Sequence, residues 1–477
     1  MTYLSKMFAI KNVAIALLFG LAGAAQAGIP IQHWTQPSGA GVWLVESPTV
    51  PMVDVRVDFD AGGRRDPAEK TGLAGVSAAM MSKGIRAVGA SAAGPSQGAR
   101  APSGGSAVRV ATSVGAYDAA LDENALGEAW ADLGASFGGG DGGDHVSFSL
   151  RSLTYPDLLA KAVALAARQL AEPAYPEAVW TRERERMTAA LREANTRPAT
   201  VAGRAYNRAV FGDHPYARDT TEETLARIAV ADMQAWHARY LQPCRARVSI
   251  VGAVTRAQAD ALVTQLLARL PVKACEPLPP VAEVQPLQKA AEIKIPFDSA
   301  QAHVYIGQPG FKRDDPDFFA LTVGNYTLGG GGFVSRLTTE VREKRGLSYS
   351  VYSYFNPGLH AGSFTMGLQT RPDQAAQAVQ VARDTLRRYV EQGPTEAELK
   401  AAKDNLIGGF ALRIDNNRKL LDNVANIAAH GLPLDYLDTW TQQVAKVTVA
   451  DIKAAFARKL QPERMVTVIV GGRDGGQ

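Results

Sequence analysis

Cys244 and Cys275 are the only thiols in this 477-residue chain. A structural zinc takes about four ligands, so a metal site built from cysteine alone is excluded. The seven histidines (His33, His145, His214, His237, His303, His360, His430) offer little more, because no two lie three or four residues apart. No helix can therefore present a pair of imidazoles on one face to a metal ion. Charge of one sign is lacking too. The net charge is +4, and Lys6 and Lys11 supply two of those charges within the first 27 residues. The remaining balance is too weak to indicate nucleic acid. Beyond residue 27 no apolar run approaches the length of a membrane-spanning helix.

What is present begins at the N terminus. Lys6 and Lys11 form a positive region, Val13–Leu21 an apolar one, and Ala25–Ala27 (A-Q-A) ends in small residues. This is the pattern of a secretory signal peptide over residues 1–27, and it predicts a mature chain starting near Gly28 in the periplasm, with no membrane span after cleavage. In that compartment the two cysteines are compatible with a disulfide or with two unpaired thiols, since sequence alone leaves their separation open. By the usual prior of roughly 100–200 residues per domain, the length suggests two to four domains.

An internal repeat sharpens that count. Val230–Gly252 aligns without a gap to Val449–Gly471 at a constant offset of 219 positions. Both copies read as a helix with Asp in its first turn, a Leu-Gln-Pro break, and a β-rich strand ending in Gly. A period this long indicates a duplicated domain. Pro277, Pro279 and Pro280 mark an extended connector between the copies. The predicted division is residues 28–275, a linker at 276–286, and residues 287–477. Strands are expected at Val42–Glu46, Val53–Phe59, Val146–Leu153, Ala302–Ile306, Tyr349–Phe355 and Ser363–Leu368, with helices in runs between them. The fold class is α+β, two duplicated domains each with a mostly antiparallel sheet covered by helices on one face. Residues 85–116, rich in Ala, Gly and Ser, read as a surface insertion.

Two short motifs fail on context. Gly134–Gly138 (G-A-S-F-G) fits a nucleophile elbow, but a helix precedes it and glycines follow, so it reads as a Gly-rich turn. Gly138, Gly140 and Gly143 fit a dinucleotide fingerprint, yet a strand follows where a helix is required. His214, in F-G-D-H-P-Y, reads as a structural residue of a turn.

Two other stretches carry a family resemblance. Leu328–Val351 (L-G-G-G-G-F-V-S-R-L-T-T-E-V-R-E-K-R-G-L-S-Y-S-V) closely resembles the glycine-rich loop, helix and strand of the C-terminal domain of pitrilysin/insulinase metallopeptidases, the inverted zincins. Phe211–Tyr216, downstream of Arg182–Pro198, is similar to the region closing their N-terminal site. Catalytic members carry H-x-x-E-H and a distal Glu, which hold zinc and supply a base. In the matching stretch Thr71–Gly84 (T-G-L-A-G-V-S-A-A-M-M-S-K-G) the His positions fall on Gly75 and Ala79, and the base position on Ala78. The distal position falls on Ala190, with Glu193 three residues out of register.

The resemblance implies a non-catalytic chain, similar to the zinc-free subunit of processing-peptidase-type heterodimers and forming half of a clamshell. It holds no cofactor itself, and zinc belongs to a catalytic partner subunit with an intact motif. The family's substrate-binding Arg and Tyr match Arg342 and Tyr349, and the loop Gly329, Gly330, Gly331 and Gly332 lines the substrate chamber. Guanidinium and phenol are strong donors for a peptide carbonyl. Pairing of the bound peptide with a sheet edge is the expected mode. The alternative is a periplasmic peptide-binding module that works without a peptidase partner.

Overall fold

The structure is a computed structural model that describes residues 28–87, 119–272 and 274–472. The expected signal segment lies outside these residues, as does the expected insertion from residue 88 onward.

Two sheets of matching topology organise the chain. In the first, the strand order is Gln32–Thr35, Gly41–Glu46, Arg247–Gly252, Met52–Phe59, Val146–Leu153, Ser136–Asp141. In the second it is Ala291–Ile295, Val466–Val470, Ala302–Pro309, Ser363–Thr370, Ser350–Asn356. One parallel pair occurs in each sheet, at the equivalent place: Gly41–Glu46 beside Arg247–Gly252, and Ala291–Ile295 beside Val466–Val470. The other neighbours are antiparallel. The repeat read from the sequence occupies equivalent places, as helices Val230–Tyr240 and Val449–Lys459 with the strands that follow them.

The expectation of one covered face needs correction, because each sheet is covered on both. Side chains alternate along a strand, so a wholly buried apolar strand has two faces to hide. Val466, Val468 and Val470 point one way, Met465 and Ile469 the other. The second pair enters the core of its own half. The three valines meet Ala202, Tyr206 and Val210 of helix Pro198–Phe211, which comes from the first half. The reverse contact also exists. Helix Asn417–His430 sets Leu420, Leu421, Val424 and Ile427 against Val45 and Val251 of the first sheet. These two helices are separated by the same 219-residue offset as the repeat, so the duplicated halves exchange equivalent helices.

A polar bond fixes one side of this exchange. Tyr206 donates its hydroxyl to the Phe364 carbonyl at 2.8 Å and lies 2.9 Å from Thr365 Oγ1. Gly307 makes room for it, since a Cβ there would come within 2.0 Å of the phenol oxygen.

Ser136–Asp141, which overlaps the Gly134–Gly138 stretch read as a Gly-rich turn, is a strand at the edge of the first sheet. Glycines are poor strand formers, but here the tertiary ladder with Val146–Leu153 decides. Gly139 sits opposite Phe148, whose ring fills the space a Cβ would need, at 2.4 Å. The first strand of each sheet, Gln32–Thr35 and Ala291–Ile295, also went unread; both are short and neither is fully buried.

Cys244 and Cys275 form a disulfide that closes a 31-residue separation and fastens the start of the connector to the first half. Further along, Glu283 ties the connector to the second half: its carboxylate pairs with Lys312 at 2.9 Å and accepts the Ala361 N–H at 3.0 Å. No helix among the described residues is long and apolar enough to cross a membrane.

Two outcomes follow for stability. Tyr206→Phe leaves the Phe364 carbonyl buried without its donor and should lower the unfolding free energy by about 1–2 kcal/mol in urea titration; an unchanged midpoint and slope would show that the bond contributes nothing. For Glu283, burial acts to raise its pKa, but Lys312 and the N–H groups of Ala361 and Val284 outweigh it and lower the pKa from 4.5 to about 2. The carboxylate's contribution is therefore complete above the unfolded value and is lost as pH falls through the folded one. Glu283→Gln should melt below wild type at pH 7, with the gap closing as pH approaches 2.

Candidate functional site

The helix that would carry zinc ligands is well framed and chemically empty. Helix Leu73–Met80 starts at Gly72, which adopts φ +104° against Thr220. Asp66 anchors that start by accepting N–H bonds from Gly72 at 2.8 Å and Ala74 at 3.1 Å. Burial pushes the Asp66 carboxyl up to about 7, the nearby Asp141 adds to the rise, and the two N–H bonds oppose it. Gly75 and Ala79 share the half-exposed face, and Ala78 is buried. A Cβ at position 75 would meet only the Asp141 Cβ, at 3.6 Å.

The distal position is no better supplied. Ala190 is exposed on helix Glu177–Asn195, and Glu193 is exposed and paired with Arg197. The buried acid of that helix, Glu183, is engaged by Lys83 at 3.5 Å and Arg186 at 2.8 Å. Glycine and alanine side chains carry no donor atom, so these residues do not fit zinc. Among the described residues no group of three or more His, Cys, Asp or Glu is placed to hold a metal ion.

The second half presents the opposite picture. Helix Phe318–Asn325 runs on into a wider π turn, Tyr326–Gly330. Gly329 packs on the edge strand Ser350–Asn356, where a Cβ would lie 2.5 Å from the Ser353 nitrogen. Asn325 seals the same edge by donating to the Ser353 carbonyl at 3.0 Å and accepting from the Ser353 hydroxyl at 2.7 Å. Gly330 and Gly331 lie against Asn325 and Tyr326, while Gly332, at φ +61°, turns the chain outward in open space. Phe333 and Val334 follow, each 69% exposed.

A second π turn, Thr338–Glu343, carries Arg342, and Tyr349 follows at 83% exposure. Turns of this kind are frequent at functional sites. The Arg342 guanidinium carbon lies 4.7 Å from the Phe333 ring centre and 4.9 Å from that of Tyr349. Such stacking on two aromatic faces restrains the guanidinium. Its basic neighbours are neutralised: Arg336 by Glu398, and Lys344 and Arg345 by Glu340. Arg342 makes no ion pair among the described residues. Its donors, beside the Tyr349 ring, remain available to an acceptor from outside.

Arg342 and Tyr349, the pair that the family resemblance singled out, lie against each other, and Phe333 joins them unannounced. The available signal was a large apolar residue directly after four glycines. His214 is buried, and its Nδ1 accepts the Tyr216 N–H at 3.1 Å. Burial lowers its pKa, helped by neighbouring His360. Around it, Tyr216 donates to Asp144 at 2.6 Å and Arg64 pairs with the same carboxylate at 3.0 Å. A cleft of about 590 Å³ lies beside this junction, between Asp66, Gly72 and Asp141 on one side and Tyr354, Asn356 and Ser363 on the other.

The Peptidase M16 inactive domain family matches residues 227–406. The first curated relatives, uncharacterized zinc proteases of Streptomyces coelicolor and two mycobacteria, are 28–30% identical, and the chain spans only 58–62% of their lengths. A non-peptidase homolog, YmxG of Helicobacter pylori, is 26% identical across 93% of this chain and 94% of its own. Among solved structures, the peptidase M16 inactive domain from Pseudomonas fluorescens is 31% identical, with a TM-score of 0.82 over 94% of this chain and 99% of that one. The periplasmic protease PqqL from Escherichia coli shares the fold at 17% identity and a TM-score of 0.74, over 93% of this chain and 46% of that one. The chain belongs to the peptidase M16 family, and it is the inactive domain of that family that it matches.

Proposed function

We propose that this chain is the non-catalytic, substrate-binding subunit of a periplasmic zinc metallopeptidase heterodimer that degrades or processes peptides. Arg342 and Tyr349 bind a substrate carbonyl at the zinc site of a partner that carries the intact motif. Zinc resides in that partner. The observation that carries this reading is a contrast within one molecule. Gly75, Ala78, Ala79 and Ala190 leave the zinc positions without donors, while Arg342 is held between two rings with no acid partner among the described residues.

Both donors suit the task. A guanidinium and a phenol can hold a peptide carbonyl and gain strength as negative charge develops on its oxygen. The other half of the clamshell would supply metal and base. Support for a two-part arrangement comes from PqqL, whose single chain is just under half covered by this fold. PqqL is named a periplasmic protease, and the signal-like residues 1–27 favour the same compartment here.

The test is peptidase activity of the co-purified pair, with Arg342→Ala and Tyr349→Phe introduced only in this chain. Removing one such donor should lower the partner's turnover by about a hundredfold, with assembly on gel filtration unchanged. Full activity in both variants would refute the shared site. Absence of any H-x-x-E-H chain from the native complex would favour a stand-alone peptide-binding module.

A further inference from the structure

Phe333 is not explained by packing. It follows an outward-turning glycine and is 69% exposed, as is Val334 beside it. Exposed large apolar side chains that gather in one place on a soluble protein mark a contact surface. Here Phe333 and Tyr349 flank a single cation that has no acid partner among the described residues, and exposed Val334 is next to Phe333 in the chain.

The neighbouring backbone narrows what can bind. Addition of a peptide strand along Ser350–Asn356 is interrupted at Ser353, because Asn325 occupies its outward carbonyl and Gly329 presses on its nitrogen. A continuous ladder of backbone hydrogen bonds is therefore unavailable at this edge. Affinity has to come from the clamp itself and from a side chain lying next to it. A cationic side chain there would face Arg342 and be repelled. An apolar one would bury area against Phe333 and Val334 while leaving the guanidinium free for a carbonyl.

We propose that Phe333 and Val334 form an apolar subsite that receives a large apolar side chain of the peptide whose carbonyl is taken by Arg342 and Tyr349. The occupant is an extended peptide with a neutral, bulky residue beside the held carbonyl. This rests on the reading of Arg342 and Tyr349 as substrate-binding groups. Phe333 determines specificity and takes no part in the chemistry.

Fluorescence anisotropy on the full mature chain tests it. The probes are three fluorescein-labelled nine-residue peptides of alanine and serine that differ only at the centre, with Phe, Glu or Lys. Wild type should bind the Phe peptide about tenfold more tightly than the other two, in line with burial of one such side chain. Phe333→Ala should abolish the preference while leaving weak binding, and Phe333→Leu should retain most of it. Because Phe333 is exposed, the thermal midpoint should not move in either variant. A preference that survives Phe333→Ala, or tightest binding of the Glu peptide, overturns the proposal. Equal binding of all three peptides, weakened throughout by Arg342→Ala, removes the subsite and leaves the carbonyl-binding reading standing. No binding by wild type removes both.

Discussion

Strands that are apolar on both sides need two covers, and the rest of this structure depends on how the second cover is supplied. Val466–Val470 is buried along its whole length, and Val45 and Val251 point away from the core their strand neighbours fill. Each half supplies one cover from its own helices and receives the other from its duplicate, by exchange of Pro198–Phe211 and Asn417–His430. Neither sheet is fully buried without the other half. The exchange also sets how the halves meet. Polar contacts reinforce the junction: Asp144 of the first half accepts from the Leu359 N–H, and Glu283 of the connector from that of Ala361.

That shared architecture separates the frame of a site from its chemistry. The frame of Leu73–Met80 persists: Asp66 still caps it, Gly72 still makes the turn, and the edge strand Ser136–Asp141 still lies alongside. Gly75, Ala78 and Ala79 carry neither donor nor charge, so none of them needs a polar partner there. Glu183, the acid that remains buried nearby, is neutralised by Lys83 and Arg186. In the second half the glycines serve packing at 329–331 and geometry at 332. Together they project Phe333 toward Arg342.

Much of the strand pattern was legible because period-two alternation is a local signal, and Val146–Leu153 was read to the residue. The repeat at 230–252 and 449–471 was legible because its residues still match. The exchanged helices share the same offset, but their sequences have diverged, so nothing local shows that each crosses to the other sheet. Ser136–Asp141 was missed because its glycines speak against a strand until Phe148 is seen to need their space. Arg342 and Tyr349 stood out only through the resemblance of Leu328–Val351 to the family's block. Phe333 did not, since its role depends on a cation–π contact nine residues ahead in the chain.

The proposed division of labour between two chains is tested most directly by metal content, chain by chain, in material purified from its native source. The expected result is about one zinc per pair of chains, all of it retained by the partner when the chains are separated. Zinc retained by this chain, with chelator-sensitive hydrolysis of peptides in the partner's absence, would contradict the assignment.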